Sequence, residues 1–165
     1  MKKYEFTGET KEIRLLFRTA TLHRIRATVA FGIVEVGDLG GWIEKEENLS
    51  HEGKAWVWGN AEVCGDAKVC GDAKVWGNAE VFSASHVLVI GAIGSRNDFT
   101  TFYRDKDNEI TVKCGCFLGK IDRFLEKVTQ THGDSKYALV YRAAVEVAKL
   151  QIDLSGEAPK DADEE

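Results

Sequence analysis

One hexad is written five times in succession from residue 55: AWVWGN, AEVCGD, AKVCGD, AKVWGN and AEVFSA, followed by a degenerate SHVLVI. Val holds the third place throughout, at 57, 63, 69, 75, 81 and 87, and Ala the first place from 55 to 79. Nothing else in the chain restricts its fold as much, because a fixed short period means one structural unit stacked on copies of itself. Side chains alternate along a strand, so each Val and the Ala two places before it point to one side. Gly-Asn or Gly-Asp follows, a pair that tolerates the positive φ of a tight corner. Three such sides close a coil of about 18 residues, with the Val ladder inside it. Residues one coil apart then share a face, which sets Trp58 over Trp76, Cys64 over Phe82 and Cys70 over Leu88, all pointing outward with Trp56. The period by itself admits more than one β-solenoid.

The tract resembles the hexapeptide-repeat left-handed β-helix family, and the left hand is what that resemblance implies. LHRIRATVAFGIVEVGDLGGWIEKEENLS (22–50) is similar to segments that introduce such tracts in bacterial and phage proteins. The expected fold class is therefore mainly β, a short left-handed β-helix of about 3–4 coils followed by a small α+β module. The expected divisions are an N-terminal cap over 1–21, the β-helix over 22–90, the α+β module over 91–152 and a disordered acidic tail over 153–165.

Past the hexads the period changes. VLVIGAIG, FTTFYRD and EITVKCGCF read as three strands. Ile121, Phe124, Leu125 and Val128 recur at helical spacing and predict a helix over about 119–131, ended by His132-Gly133. Asp134 or Ser135 can cap a second helix, giving the order β-β-β-α-α. The combination of hexads with GSRN, TTFYR, GCF and THG is similar to a family found in phages and their Firmicutes hosts. That resemblance implies a phage- or mobile-element-encoded protein and assigns no reaction.

Charge narrows the partners. The net charge is −5, but five acids and one Lys in 157–165 carry most of it, and residues 1–26 hold seven Lys and Arg against three Glu. The basic segment has no basic domain behind it, which disfavours duplex DNA as a partner. No apolar run is long enough to span a membrane and no signal-peptide core opens the chain, so a cytoplasmic protein is expected. Four Cys in that compartment are expected to be reduced structural thiols. The C-x-C of Cys114 and Cys116 is too sparse a pattern to assign a metal, and no cofactor is assigned.

Three groups of residues carry the functional reading. Gly91–Asn97 joins two strands with two Gly, a hydroxyl and an Arg, a pattern that can present backbone N–H groups and a guanidinium to an anion. Ser95, Arg96 and Asn97, with Thr101, Tyr103 and Arg104 beyond them, form the candidate ligand-binding set; a plain hairpin turn with a solvated Arg is the alternative. Trp56, Trp58, Trp76 and Phe82 form the candidate oligomer interface, with a trimer favoured and cover by the chain's own C-terminal segment as the alternative. The β-helix resemblance implies a CoA-dependent acyltransferase as a rival function, with His86 or His51 as its base. No long loop interrupts the hexads and no carboxylate beside either His is identified as its partner. His132 reads as a helix-terminal residue interacting with the dipole. The function expected is thus a non-enzymatic oligomeric binder of a small anionic, nucleotide-like ligand or a host protein, acting as a counter-defence sponge or inhibitor. A purely structural trimeric scaffold is the remaining alternative.

Overall fold

The computed structural model describes residues 1–155 and, for the backbone, 160–161. The rest of the expected acidic tail lies outside the described residues. The fold class differs from the expectation. The chain is a mixed α/β fold of three sheets and two α-helices, and a left-handed β-helix is not shown.

Two facts of local structure explain the difference. Antiparallel strands run across the expected cap and the start of the expected β-helix. β1 (Tyr4–Arg14) and β2 (Thr19–Ala27) form a hairpin, and β2 pairs antiparallel with β3 (Leu39–Ile43). The hexads, for their part, give strands of only two residues each: β4 (Trp56–Val57), β5 (Glu62–Val63), β6 (Lys74–Val75) and β7 (Glu80–Val81). These add to flat sheets. One runs β1-β2-β3-β5-β7, with Lys160–Asp161 on its outer edge, and the other is β4-β6 alone.

The repeat's register is nevertheless the one its period predicts. Trp56 pairs with Lys74, Val57 with Val75, Glu62 with Glu80 and Val63 with Val81, all parallel and one coil length apart. Val57, Val63, Val69, Val75 and Val81 are fully buried, and Ala55, Ala61, Ala67, Ala73 and Ala79 lie between them. The turns behave as the hexad implies, with φ of +58° to +67° at Gly59, Gly65, Gly71 and Gly77. A Cβ at Gly65 would lie 2.5 Å from the Phe82 carbonyl oxygen, whereas one at Gly71 meets nothing within 4 Å. Gly71→Ala should therefore cost about 1–2 kcal/mol for the left-handed backbone alone. Gly65→Ala should cost measurably more in the same denaturant titration, because a carbonyl must also move.

β8 (Val87–Ile93), β9 (Asp98–Arg104), β10 (Ile110–Cys114) and β11 (Phe117–Lys120) make an antiparallel sheet in the order β11-β10-β9-β8. The module is β-β-β-β-α-α, with four strands where three were expected. The segment EITVKCGCF folds back on itself: Cys114 pairs with Phe117 across the two-residue loop Gly115-Cys116, and Gly115 adopts φ +56°. α1 (Ile121–His132) ends at Gly133, whose N–H donates to the Thr129 carbonyl at 2.9 Å, and α2 (Lys136–Gln151) follows. The sheet is covered on both faces. Tyr103 packs into the Val-Ala core of the repeat, while Phe102 and Val112 pack with Phe124, Val128, Tyr141 and Val145 of the helices. Among the described residues no helix is long and apolar enough to cross a membrane.

Candidate functional site

The helical side of the four-stranded sheet does not seal completely. A cavity of about 460 Å³ opens where the β8–β9 turn, the β10–β11 turn and the two helices meet. Ser95 and Arg96 reach it from the first turn, and Cys114, Gly115, Cys116 and Phe117 from the second. α1 contributes Phe124, Lys127, Val128, Thr131 and His132, and α2 contributes Tyr141. The α1 residues recur at helical spacing, so one face of one helix supplies an apolar floor and a polar rim together. Arg96, Lys127 and His132 supply cationic or protonatable groups, and among the described residues no carboxylate lines the cavity. An adjoining groove, also about 460 Å³, shares Cys116, Phe117 and Lys127 and adds Arg123 and Glu126.

Close approaches fix the geometry of the rim. A Cβ at Gly94 would collide with the Tyr141 hydroxyl, and one at Gly115 would lie 2.7 Å from Arg96 Nη1. Arg96 Nη1 sits 3.8 Å from Cys116 Sγ. That contact, together with the guanidinium charge, holds the Cys116 thiol below its ordinary range. Cys114 differs: its sulfur accepts from the Thr100 hydroxyl at 3.3 Å, and it is only partly exposed. Burial, with the neighbouring Cys114 second, raises the Tyr141 phenol above its usual value. The His132 ring stacks on Tyr141 with centroids 5.7 Å apart.

The structure divides the ligand-binding residues expected from sequence. Ser95 and Arg96 are brought together at the cavity, and Asn97 lies exposed beside them in the turn at φ +50°. Thr101, Tyr103 and Arg104 go elsewhere and are buried. Thr101 Oγ1 accepts from the Lys74 N–H at 3.0 Å, the Tyr103 hydroxyl donates to the Trp76 carbonyl at 3.0 Å, and Arg104 Nε donates to the Glu80 carbonyl at 3.0 Å. All three tie β9 to the repeat. The members that sequence reasoning missed are Cys114, Cys116, Phe117 and the α1 face. The signal available for them was the C-G-C loop followed by a helix carrying Phe, Lys, Thr and His at spacings of three and four.

The expected Trp face is likewise rearranged. Trp56 is fully buried, with Tyr4 and Phe31 packed edge-on against it. Trp58 and Trp76 do stack, with centroids 4.3 Å apart, but both are half-buried. Lys113 lies over the Trp76 ring and Arg104 over the half-buried Phe82. The chain's own C-terminal sheet thus covers part of this surface, and the four residues do not form one exposed apolar face.

No family model matches the chain, and no curated protein matches it in sequence.

The two His considered as bases are both engaged. His51 Nδ1 accepts from the Lys3 N–H at 3.2 Å, and its ring stacks on Tyr4 at 4.1 Å. His86 Nδ1 accepts from the Phe82 N–H at 3.1 Å. Burial, reinforced by the Arg104 charge, pushes His86 down to about 4 from an ordinary 6.5. A His that the fold keeps neutral contributes stability in full above the ordinary value. That contribution is lost as pH falls toward about 4, because the unfolded chain takes up a proton the fold refuses. Discounted for partial exposure, the loss should be about 1–2 kcal/mol. Unfolding midpoints measured across that window should fall in the native protein and fall less in His86→Asn.

Proposed function

We propose that the chain is a binding protein for a small anionic ligand with a planar apolar part, of which a nucleotide is the model. The observation that carries this reading is the lining of the cavity between the turns and helices. Arg96, Lys127 and His132 face it with no opposing carboxylate among the described residues, while Phe117, Phe124 and Tyr141 supply ring surface. A cavity of about 460 Å³ falls within the size range of small-ligand sites. Guanidinium and ammonium donors make the stronger class of hydrogen bond to a phosphate or carboxylate, and the rings can stack on a base. Neither His51 nor His86 lines the cavity, which supports binding over acyl transfer from either His as its use.

The test is titration calorimetry with nucleoside monophosphates, with the parent nucleosides as neutral comparators. The nucleotides should bind and the nucleosides should bind much more weakly. Arg96→Ala and Lys127→Ala should each weaken nucleotide affinity by about tenfold or more. Equal affinity in both variants and the native protein would show that this cavity is not the site.

A further inference from the structure

The two thiols of the Cys114-Gly115-Cys116 loop are treated differently by the fold. Cys114 is partly covered and accepts a hydrogen bond from Thr100. Cys116 is exposed on the cavity wall, with Arg96 Nη1 at 3.8 Å from its sulfur. The approach depends on Gly115, since a Cβ there would stand 2.7 Å from the same nitrogen. Lys113 holds the loop from its other side, donating from Nζ to the Gly115 carbonyl at 2.7 Å. The thiol is thus one wall of a cavity that already gathers Arg96 and Lys127 and, among the described residues, has no carboxylate in its lining. Thiolates, not thiols, are the attacking species, and neighbouring cations raise the thiolate fraction. Both Arg96 and Lys113 act on Cys116 in that sense.

We infer that Cys116 is a nucleophile that exchanges with small anionic disulfides, those carrying carboxylates or phosphates beside the S–S bond, which Arg96 and Lys127 draw into the cavity. The Cys116 sulfur attacks one sulfur of the incoming disulfide, and its electron pair forms the new S–S bond as the old one breaks. The departing half leaves as a thiolate and takes its proton from water. Cys116 is oxidised to a mixed disulfide, the departing half is reduced, and the incoming disulfide is the oxidant. The inference rests on the anion-binding reading of the same cavity and adds a covalent step to it.

The full chain supplies its own comparison, because Cys70 is also exposed and lies outside the cavity lining. The protein would be treated separately with glutathione disulfide, neutral hydroxyethyl disulfide and cationic cystamine, and the modification at each Cys followed by peptide mapping against time. With glutathione disulfide, Cys116 should react about tenfold faster than Cys70. The rates at Cys116 should fall from the anionic to the neutral to the cationic reagent. Arg96→Gln should bring Cys116 down toward the Cys70 rate. Lys127→Gln should erase much of the anionic preference while sparing the reaction with the neutral reagent. If Cys116 reacts no faster than Cys70 with any reagent while nucleotides still bind, the inference is wrong and the binding reading stands. If Cys116 reacts quickly with all three alike, the anionic substrate class is wrong. Should nucleotide binding be absent as well, both readings fall together.

Discussion

Trp56→Ala is expected to lower the free energy of unfolding by about 3–5 kcal/mol, measured by denaturant titration. The ring is fully buried where the hexads meet the N-terminal hairpin, against Tyr4 on one side and Phe31 on another. Removing it opens a cavity that short two-residue strands tied into two sheets cannot collapse to fill. Trp56→Phe should cost clearly less. The indole Nε1 is buried with no hydrogen-bond partner among the described residues, so its loss forfeits area but no bond. Trp58→Ala should also cost less, because that ring is only half-buried and its main partner is the Trp76 ring. A flat response across all three substitutions would mean that Trp56 does not anchor the core.

Asp105→Ala is the second large effect, at about 3 kcal/mol. This buried carboxylate accepts from the N–H groups of Asp107 and Glu109 on one oxygen, at 2.9 and 3.2 Å. The other oxygen accepts from the Thr111 hydroxyl and the Lys120 ammonium, both at 2.6 Å. The same turn joins the repeat, since Lys106 N–H donates to the Asn78 carbonyl at 3.0 Å and Ala79 bridges Asp105. Deleting one side chain therefore strands several donors where the sheet meets the hexads. Burial disfavours the ionised form, but the Lys120 and Thr111 bonds and the backbone N–H groups outweigh it and hold the carboxyl below its usual 3.8. Its stabilising contribution is therefore present above that value and lost as the pH falls below it. Asp105→Asn should lie between native and Ala, because an amide oxygen can replace only some of the acceptors.

The sequence carried the repeat's register and interior, but not the way the repeat is completed. Val and Ala at fixed places determine which side chains are buried, and a pairing offset of 18 residues follows once three hexads make one turn. What the period could not reveal is how much of each hexad is strand. Only two residues in each of four hexads are; β5 and β7 join the antiparallel strands over 4–43 through a parallel β3–β5 pairing, while β4 and β6 pair with each other alone. The outward face differs from the expectation for a related reason. Alternation says that Trp56 leaves the Val ladder, but not that Tyr4 and Phe31 arrive from far along the chain to cover it.

The candidate site was half legible. The turn holding Ser95 and Arg96 admits either an anion-binding element or a plain hairpin turn from its sequence, and both residues line the cavity. Alternation puts Thr101 and Tyr103 on one face of β9 and Thr100 and Phe102 on the other, but which face is closed by the repeat and which by helices is a matter of long-range packing. α1 was predicted from its apolar spacing, and the polar positions beside that stripe supply Lys127, Thr131 and His132 to the cavity. Cys116 was out of reach because its environment is made by Arg96, and that pairing exists only once two turns from different hairpins are side by side.

The central claim is that this cavity binds a small anion, and the most direct measurement is an amide correlation spectrum recorded during titration with adenosine monophosphate. Saturable shifts are expected at Ser95, Arg96, Gly115, Cys116, Thr131 and His132, largely abolished in Arg96→Ala. Saturable shifts centred instead on the exposed Leu16-Phe17 hairpin tip, or none at any of the cavity residues at saturating ligand, would contradict it.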